Sequence, residues 1–199
     1  MSILSLSEVC FRIFTGIPPR NRVDKLQGSL SVPVLGIRAL THDGTIDPVA
    51  MEKMEVAGGP RPSQPNLCKH DVVLSIRGNM PKCALVQVDF PEPTYASGNL
   101  AVIRPDPAKV DPAYLWAIIM RVSRDIRHPL LTRATTQQLS IRVGGLHKLP
   151  VWVPPLSEQK RIGEAALALR DAVTAERRAL EVGEQTFDSF LLEAVEHYE

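Results

Sequence analysis

The chain has 199 residues, 44% of them apolar, three cysteines and a formal net charge of +1. That is enough for one domain with a real core plus an appendage, and too little for two full domains. No stretch approaches the roughly 18–20 uncharged apolar residues of a membrane span, and Glu8 and Arg12 interrupt the N-terminal run that a signal peptide would need, so a cytoplasmic protein without a membrane partner is expected. Cys10, Cys68 and Cys83 have no paired spacing, which argues against a disulfide framework or a zinc site.

From the N-terminus, "VCFRIF" predicts a strand over 9–14, with Val9, Phe11 and Ile13 on one face, followed by a turn at Thr15-Gly16 and a basic loop through Arg20 and Arg22. "VPVLGI" predicts a buried strand over 32–37, and Asp43-Gly44 a turn with positive φ. The segment "GGPRPSQPN" at 58–66 is too rich in proline and glycine for regular structure. "VVLSI" and "CALVQVDF" read as a hairpin across "RGNMPK", and "NLAVIRP" as a further strand over 99–105.

The period then changes to 3.6 at "DPAYLWAIIMRVSRDI". Asp111 is the expected N-cap, Pro112 the first helical residue, and Leu115, Ile118, Ile119 and Val122 the apolar face. "TRATTQQLS" reads as a polar linker, and Leu149, Val151 and Val153 as the inward side of one more strand.

After Pro155 the sequence contains no further proline, which predicts one helix to the C-terminus, with Ser157 as N-cap and a length of roughly 60 Å at 1.5 Å per residue. Ile162, Ala165, Leu169, Ala172, Ala179, Gly183, Phe187, Phe190 and Ala194 recur at a spacing near 3.5, a coiled-coil seam flawed at Glu176 and Gly183, either of which could mark a bend or a close helix crossing. Such a seam has no evident surface of its own chain to cover it. Charge divides at the same place: residues 1–154 carry 18 Lys and Arg against 12 Asp and Glu, net +6, whereas 155–199 carry 5 against 10, net −5. A basic body suits a polyanion and an acidic helix suits a protein.

"HDVVLSIRGNMPKCALV", then "NLAVIRPDPAKVDPAYLWAII", then "GGLHKLPVWVPPLSEQKRIGEAALAL", in this order, resemble one half of the DNA specificity subunit of type I restriction-modification systems. The resemblance covers nearly the whole chain and is most specific where Pro-Pro-Leu-Ser-Glu-Gln passes into the long helix. It implies an α/β (α+β) chain: a mixed-sheet target recognition domain over 1–154 and a conserved spacer or dimerisation helix over 155–199. Complete subunits of this kind resemble two such units in tandem with their helices antiparallel, whereas this chain has one of each. The resemblance therefore implies a homodimer through Ile162, Ala165, Leu169, Ala172, Gly183, Phe187 and Phe190, double-stranded DNA as ligand, and methyltransferase subunits, joined by a restriction subunit, as partners. S-adenosylmethionine is expected on the methyltransferase and no cofactor on this chain.

The residue types suited to DNA contact are Arg20 and Arg22, Arg77 and Lys82 flanking the hairpin turn, and Arg133, Thr135, Gln137 and Gln138 in the polar linker. Cations fix phosphates, while Arg and Gln can present paired hydrogen bonds to base edges. Arg121, Arg124 and Arg127 recur every third position and read as a wet helix face or a phosphate track. His42, His70, His128 and His147 lack metal-ligand spacing. Glu158-Gln159-Lys160 has a nuclease-like spelling, but on a helix its two charged side chains point about 200° apart, so no enzyme is expected. The competing reading is a protein-interaction module derived from a specificity subunit, which keeps the partner surfaces without reading DNA.

Overall fold

The computed structural model describes residues 2–18, 29–61, 63–125, 127–133 and 139–196. A four-stranded antiparallel sheet forms the middle, in the order β2 (Cys10–Thr15), β9 (Leu100–Pro105), β5 (Val72–Ser75), β7 (Cys83–Leu85). The runs "VVLS" and "LAVI" are apolar at successive positions because both faces of this sheet are covered. One face meets α1 (Pro112–Arg124) through Leu74, Ile103, Leu115 and Ile119. The other packs Val73, Val102 and Leu100 against Phe14, Leu35 and Leu40.

A second sheet, β4 (Glu52–Ala57), β3 (Ser29–Leu35), β8 (Tyr95–Ala96), joins an antiparallel pair to a parallel one, which makes the chain mixed-sheet α+β, as expected. β1 (Ser2–Ser5) pairs with β12 (Pro150–Val153), so the two ends of the body are tied together before the long helix begins. A third small sheet, β10 (Leu131–Arg133), β11 (Leu139–Ile141), β6 (Arg77–Gly78), leaves the hairpin stem sideways. The short helix α2 (Val143–His147) connects it to β12.

Three sequence expectations need correction. Phe11 points outward, 67% exposed, because the β2–β9 register shifts between Cys10 and Arg12; a bulge there reverses which side chains face the core. The ends of "TRATTQQLS" are strand and not linker: Thr132 and Arg133 belong to β10 and pair with Ser140 and Leu139 of β11. The last helix, α3 (Leu156–Glu196), starts one residue before Ser157, with the Pro155 carbonyl accepting from the Glu158 and Gln159 amides. The Asp111 expectation holds: it caps α1, its Oδ1 accepting from the Tyr114 amide at 2.9 Å, with Pro112 in the first turn.

Candidate nucleic-acid interface and helix surface

The hairpin that presents Arg77 and Lys82 is clamped at its stem. The Lys82 amide donates to Ser75 Oγ at 2.7 Å, and the Ser75 amide donates to the Lys82 carbonyl at 2.8 Å. Ser75 is buried, so the clamp is held from inside while Arg77 stays exposed and Lys82 half-buried. Gly78, at φ +133°, turns the chain where a side chain would be strained.

Backbone hydrogen bonds link this turn to the other candidate segments. Ile76 donates to the Asn99 carbonyl at 2.9 Å and accepts from the Ile141 amide at 3.0 Å, and Arg77 stands opposite Ser140 in β11. Arg133, at the end of β10, pairs with Leu139, so these two residues bracket 134–138. Gly98, next to Asn99, donates to the Ile17 carbonyl at 2.6 Å, where the chain runs toward 19–28. Arg77, the base of the β10–β11 hairpin and Ile17 thus follow one another along a single run of backbone contacts. Arg20, Arg22, Thr135, Gln137 and Gln138 lie outside the described residues.

At the far end of β5 and β9 from this edge the charges are structural. Asp71, buried, accepts from Arg104 Nε and Nη2 at 2.8 Å each and from the Cys68 amide at 2.9 Å. The Asp71 hydrogen bond holds the Arg104 guanidinium above its ordinary range, and the same group stands over the Phe14 ring at 5.7 Å. Such a paired, stacked arginine is fixed in place and holds "HD" of the "HDVVLSIRG" element to β9. Burial pushes the Cys10 thiol up to about 12, with Asp106 adding to the shift, and pushes the wholly buried Cys83 thiol up as well.

The helix surface divides in two. Over its first turns α3 lies along α1, and Ile162, Ala166 and Leu167 join the main core, so this part of the seam is covered by its own chain, contrary to expectation. Gln159 is the buried stitch. Its Oε1 accepts from the Asp111 amide at 2.9 Å, and its Nε2 donates to the Pro154 carbonyl at 2.8 Å and the Lys109 carbonyl at 3.2 Å. The close crossing falls at Gly163, where a Cβ would stand 2.7 Å from the Tyr114 amide nitrogen; among the described residues, a Cβ on Gly183 would meet nothing within 4 Å beyond its own stretch of helix.

Sequence reading gave no structural role to Gln159, Gly163 or Arg170, although Gln159 ends the Pro-Pro-Leu-Ser-Glu-Gln run on which the resemblance is most specific. Arg170 is nearly buried between Trp116 and Gln87. Among the described residues, the last tie to the body is Arg177 to Asp43, 2.7 Å. Beyond it Leu180, Phe187, Phe190 and Leu191 are exposed, as are Ala165, Leu169 and Ala172 on the seam. Glu158 pairs with Arg161 at 3.1 Å within the first turns of α3. No described helix is long and apolar enough to cross a membrane.

No family model and no curated protein matches the sequence. Among solved structures, the HsdS subunit from Thermoanaerobacter tengcongensis matches at 24% identity and TM-score 0.60, over 89% of this chain and 44% of that one. A second match, described as the structural basis of complex assembly and conformational transition of the type I R-M system, has 21% identity and TM-score 0.59, with the same coverages. The chain spans less than half the length of both. A body of mixed sheets with one long C-terminal helix therefore gives this chain the fold of the type I restriction-modification specificity subunits.

Proposed function

We propose that this chain is a non-enzymatic, half-length specificity subunit. Residues 1–154 read one half of a double-stranded DNA site, and residues 155–199 form the spacer that pairs two copies and docks methyltransferase subunits. The observation that carries the reading is the match of nearly the whole chain to less than half of an HsdS subunit. A two-fold dimer of such units would read a palindromic, bipartite site.

Supporting the DNA role are the +6 charge of residues 1–154 and the clamped turn that offers Arg77 beside the β10–β11 hairpin. Arg20, Arg22, Lys82, Arg133, Thr135, Gln137 and Gln138 are the remaining proposed contacts. Supporting the partner role is the acidic, apolar-striped helix beyond Arg177. Catalysis belongs to the partner, which would use S-adenosylmethionine to methylate the site, with a restriction subunit joining the assembly in the cytoplasm.

The test is a methylation selection: the purified chain, a DNA-methyltransferase subunit from the same source and S-adenosylmethionine act on a random duplex pool, and protected sequences are read. A methylated two-part palindrome is expected, with binding that falls steeply as salt rises through the release of counterions. Methylation at no defined sequence, or DNA binding insensitive to salt, would contradict the proposal.

A further inference from the structure

At the end of the central sheet where Ser75 of β5 stands opposite Leu100 of β9, the turn at 97–99 is fixed through its backbone. The Ser97 amide donates to the Leu35 carbonyl at 2.9 Å, the Leu100 amide donates to the Ser97 carbonyl at 3.0 Å, and the Asn99 carbonyl accepts from the Ile76 amide at 2.9 Å. A Cβ on Gly98 would stand 2.6 Å from Pro18 Cα, so the chain leading to Arg20 and Arg22 passes directly against this turn. A turn held so closely presents its side chains in a fixed direction.

Beside the turn lies an open hollow of about 300 Å³, lined by Ser97 and Asn99, by the apolar Ile37 and Met54, and by Arg38 and Glu52. Its polar groups are unspent. Ser97 Oγ is buried without a partner, and the half-buried Asn99 carboxamide makes no hydrogen bond among the described residues. Arg38 sits on a short 3-10 helix, Ile37–Ala39, whose Ile37 packs on the core, and it reaches Glu52 only at 3.8 Å, an exposed pair too weak to occupy it. Arg77, next to Ile76, is exposed and has no ion pair among the described residues. At the opposite end of the same strands Arg104 is committed to Asp71. The groups free to meet a ligand are therefore gathered at the 97–99 end.

We propose that Asn99 is a base-reading residue. Its Oδ1 accepts from the amino group of an adenine and its Nδ2 donates to the adenine ring nitrogen N7, while Arg38 of the hollow and Arg77 of the hairpin hold phosphates. This rests on the DNA reading above and is independent of how α3 meets a partner. In the major groove adenine offers a donor and an acceptor side by side, which is the complement of a carboxamide. An asparagine in a turn is ordinary in sequence. What singles out Asn99 is a free carboxamide on a fixed turn, between the chain that enters the first basic loop and the hairpin that carries Arg77.

The test is a binding selection, in which duplexes retained from a random pool by the full chain with the methyltransferase subunit from the same source report the preference at each position. The parent should fix an adenine that Asn99→Ala no longer fixes, with affinity for the parent's sequence lower by roughly 5- to 150-fold and the salt dependence of binding unchanged. Asn99→Asp keeps the shape but only accepts, so it should move that position toward cytosine, whose amino group donates; it also carries the test should the alanine chain not fold. Arg38→Ala should instead weaken binding to all sequences alike and flatten the salt dependence. A changed preference at one position is a readout that a merely structural asparagine would not give. Asn99 variants that select the parent's sequence unchanged, or lose affinity equally for every sequence, would overturn the inference and leave the DNA reading standing. An Arg38→Ala chain with the parent's salt dependence would overturn the phosphate role of that arginine. A parent that selects no sequence would overturn both the inference and the DNA reading.

Discussion

Replacing Gln159 by alanine removes the stitch between the start of α3 and the cap of α1. Three hydrogen bonds are lost: from the Asp111 amide at 2.9 Å, and to the Pro154 and Lys109 carbonyls at 2.8 and 3.2 Å. Gln159 is 1% exposed, so water does not replace the missing side chain freely. An orphaned buried amide costs about 1–3 kcal/mol, and the two carbonyls and the new cavity add to it, so a total loss of about 3–5 kcal/mol is expected. Against a typical domain stability of about 5–15 kcal/mol that is a large fraction. Urea unfolding followed by helical circular dichroism and tryptophan fluorescence, at one fixed protein concentration, measures it. Gln185→Ala, at an exposed helix position, serves as a control expected within about 0.5 kcal/mol of the parent. A Gln159→Ala loss under about 1 kcal/mol would refute the claim that this residue holds helix to body.

Gly163→Ala should destabilise although alanine favours helix, because the new methyl meets Tyr114 N at 2.7 Å and Asp111 Oδ1 at 2.8 Å; a net loss of about 1–2 kcal/mol is expected in the same urea experiment. A chain ending at Arg178 keeps every described tie of α3 to the body and should remain folded by circular dichroism but sediment as a monomer. Thiol titration at pH 9 should leave Cys10 and Cys83 unmodified in the native protein and modify both after denaturation. Because Cys10 is a thiol up to about 12 when folded but ionises near about 8.5 when unfolded, the native state binds more protons across that window. Stability should therefore fall as pH rises from about 9 toward 12, and a flat or rising pH profile over that range would contradict the burial of this group.

The central strands were legible because apolar runs bounded by Asp71 and Gly78, or by Asn99 and Pro105, leave little choice of structure. α1 was legible from its cap and its first-turn proline. β4 was missed: "EKMEVA" is composed largely of helix formers, and its Met54 and Val56 alternate only because they rest on the body through β3. The Phe11 error came from a bulge, which shifts facing by one residue without any marker in composition.

On the helix, the 3.5 spacing drew Ile162 and Phe187 into one seam, yet the first packs on its own core and the second is exposed, since periodicity gives a face and not its partner. Gly183 attracted notice as the flaw in that seam, whereas Gly163 is the contact point because α1 crosses there. Nothing local distinguishes the two glycines. Gln159 was hidden in the same way: a glutamine near a helix start is ordinary until three backbone groups converge on it.

The doubling of one body and one helix is tested most directly by the mass of the purified full chain in solution, by light scattering at tens of micromolar, alone and then with the methyltransferase subunit. Twice the 21.9 kDa of one chain, rising by two methyltransferase subunits per dimer, is the expected result. A single-chain mass that stays unchanged when the methyltransferase is added would contradict both the pairing of the helices and the half-subunit role.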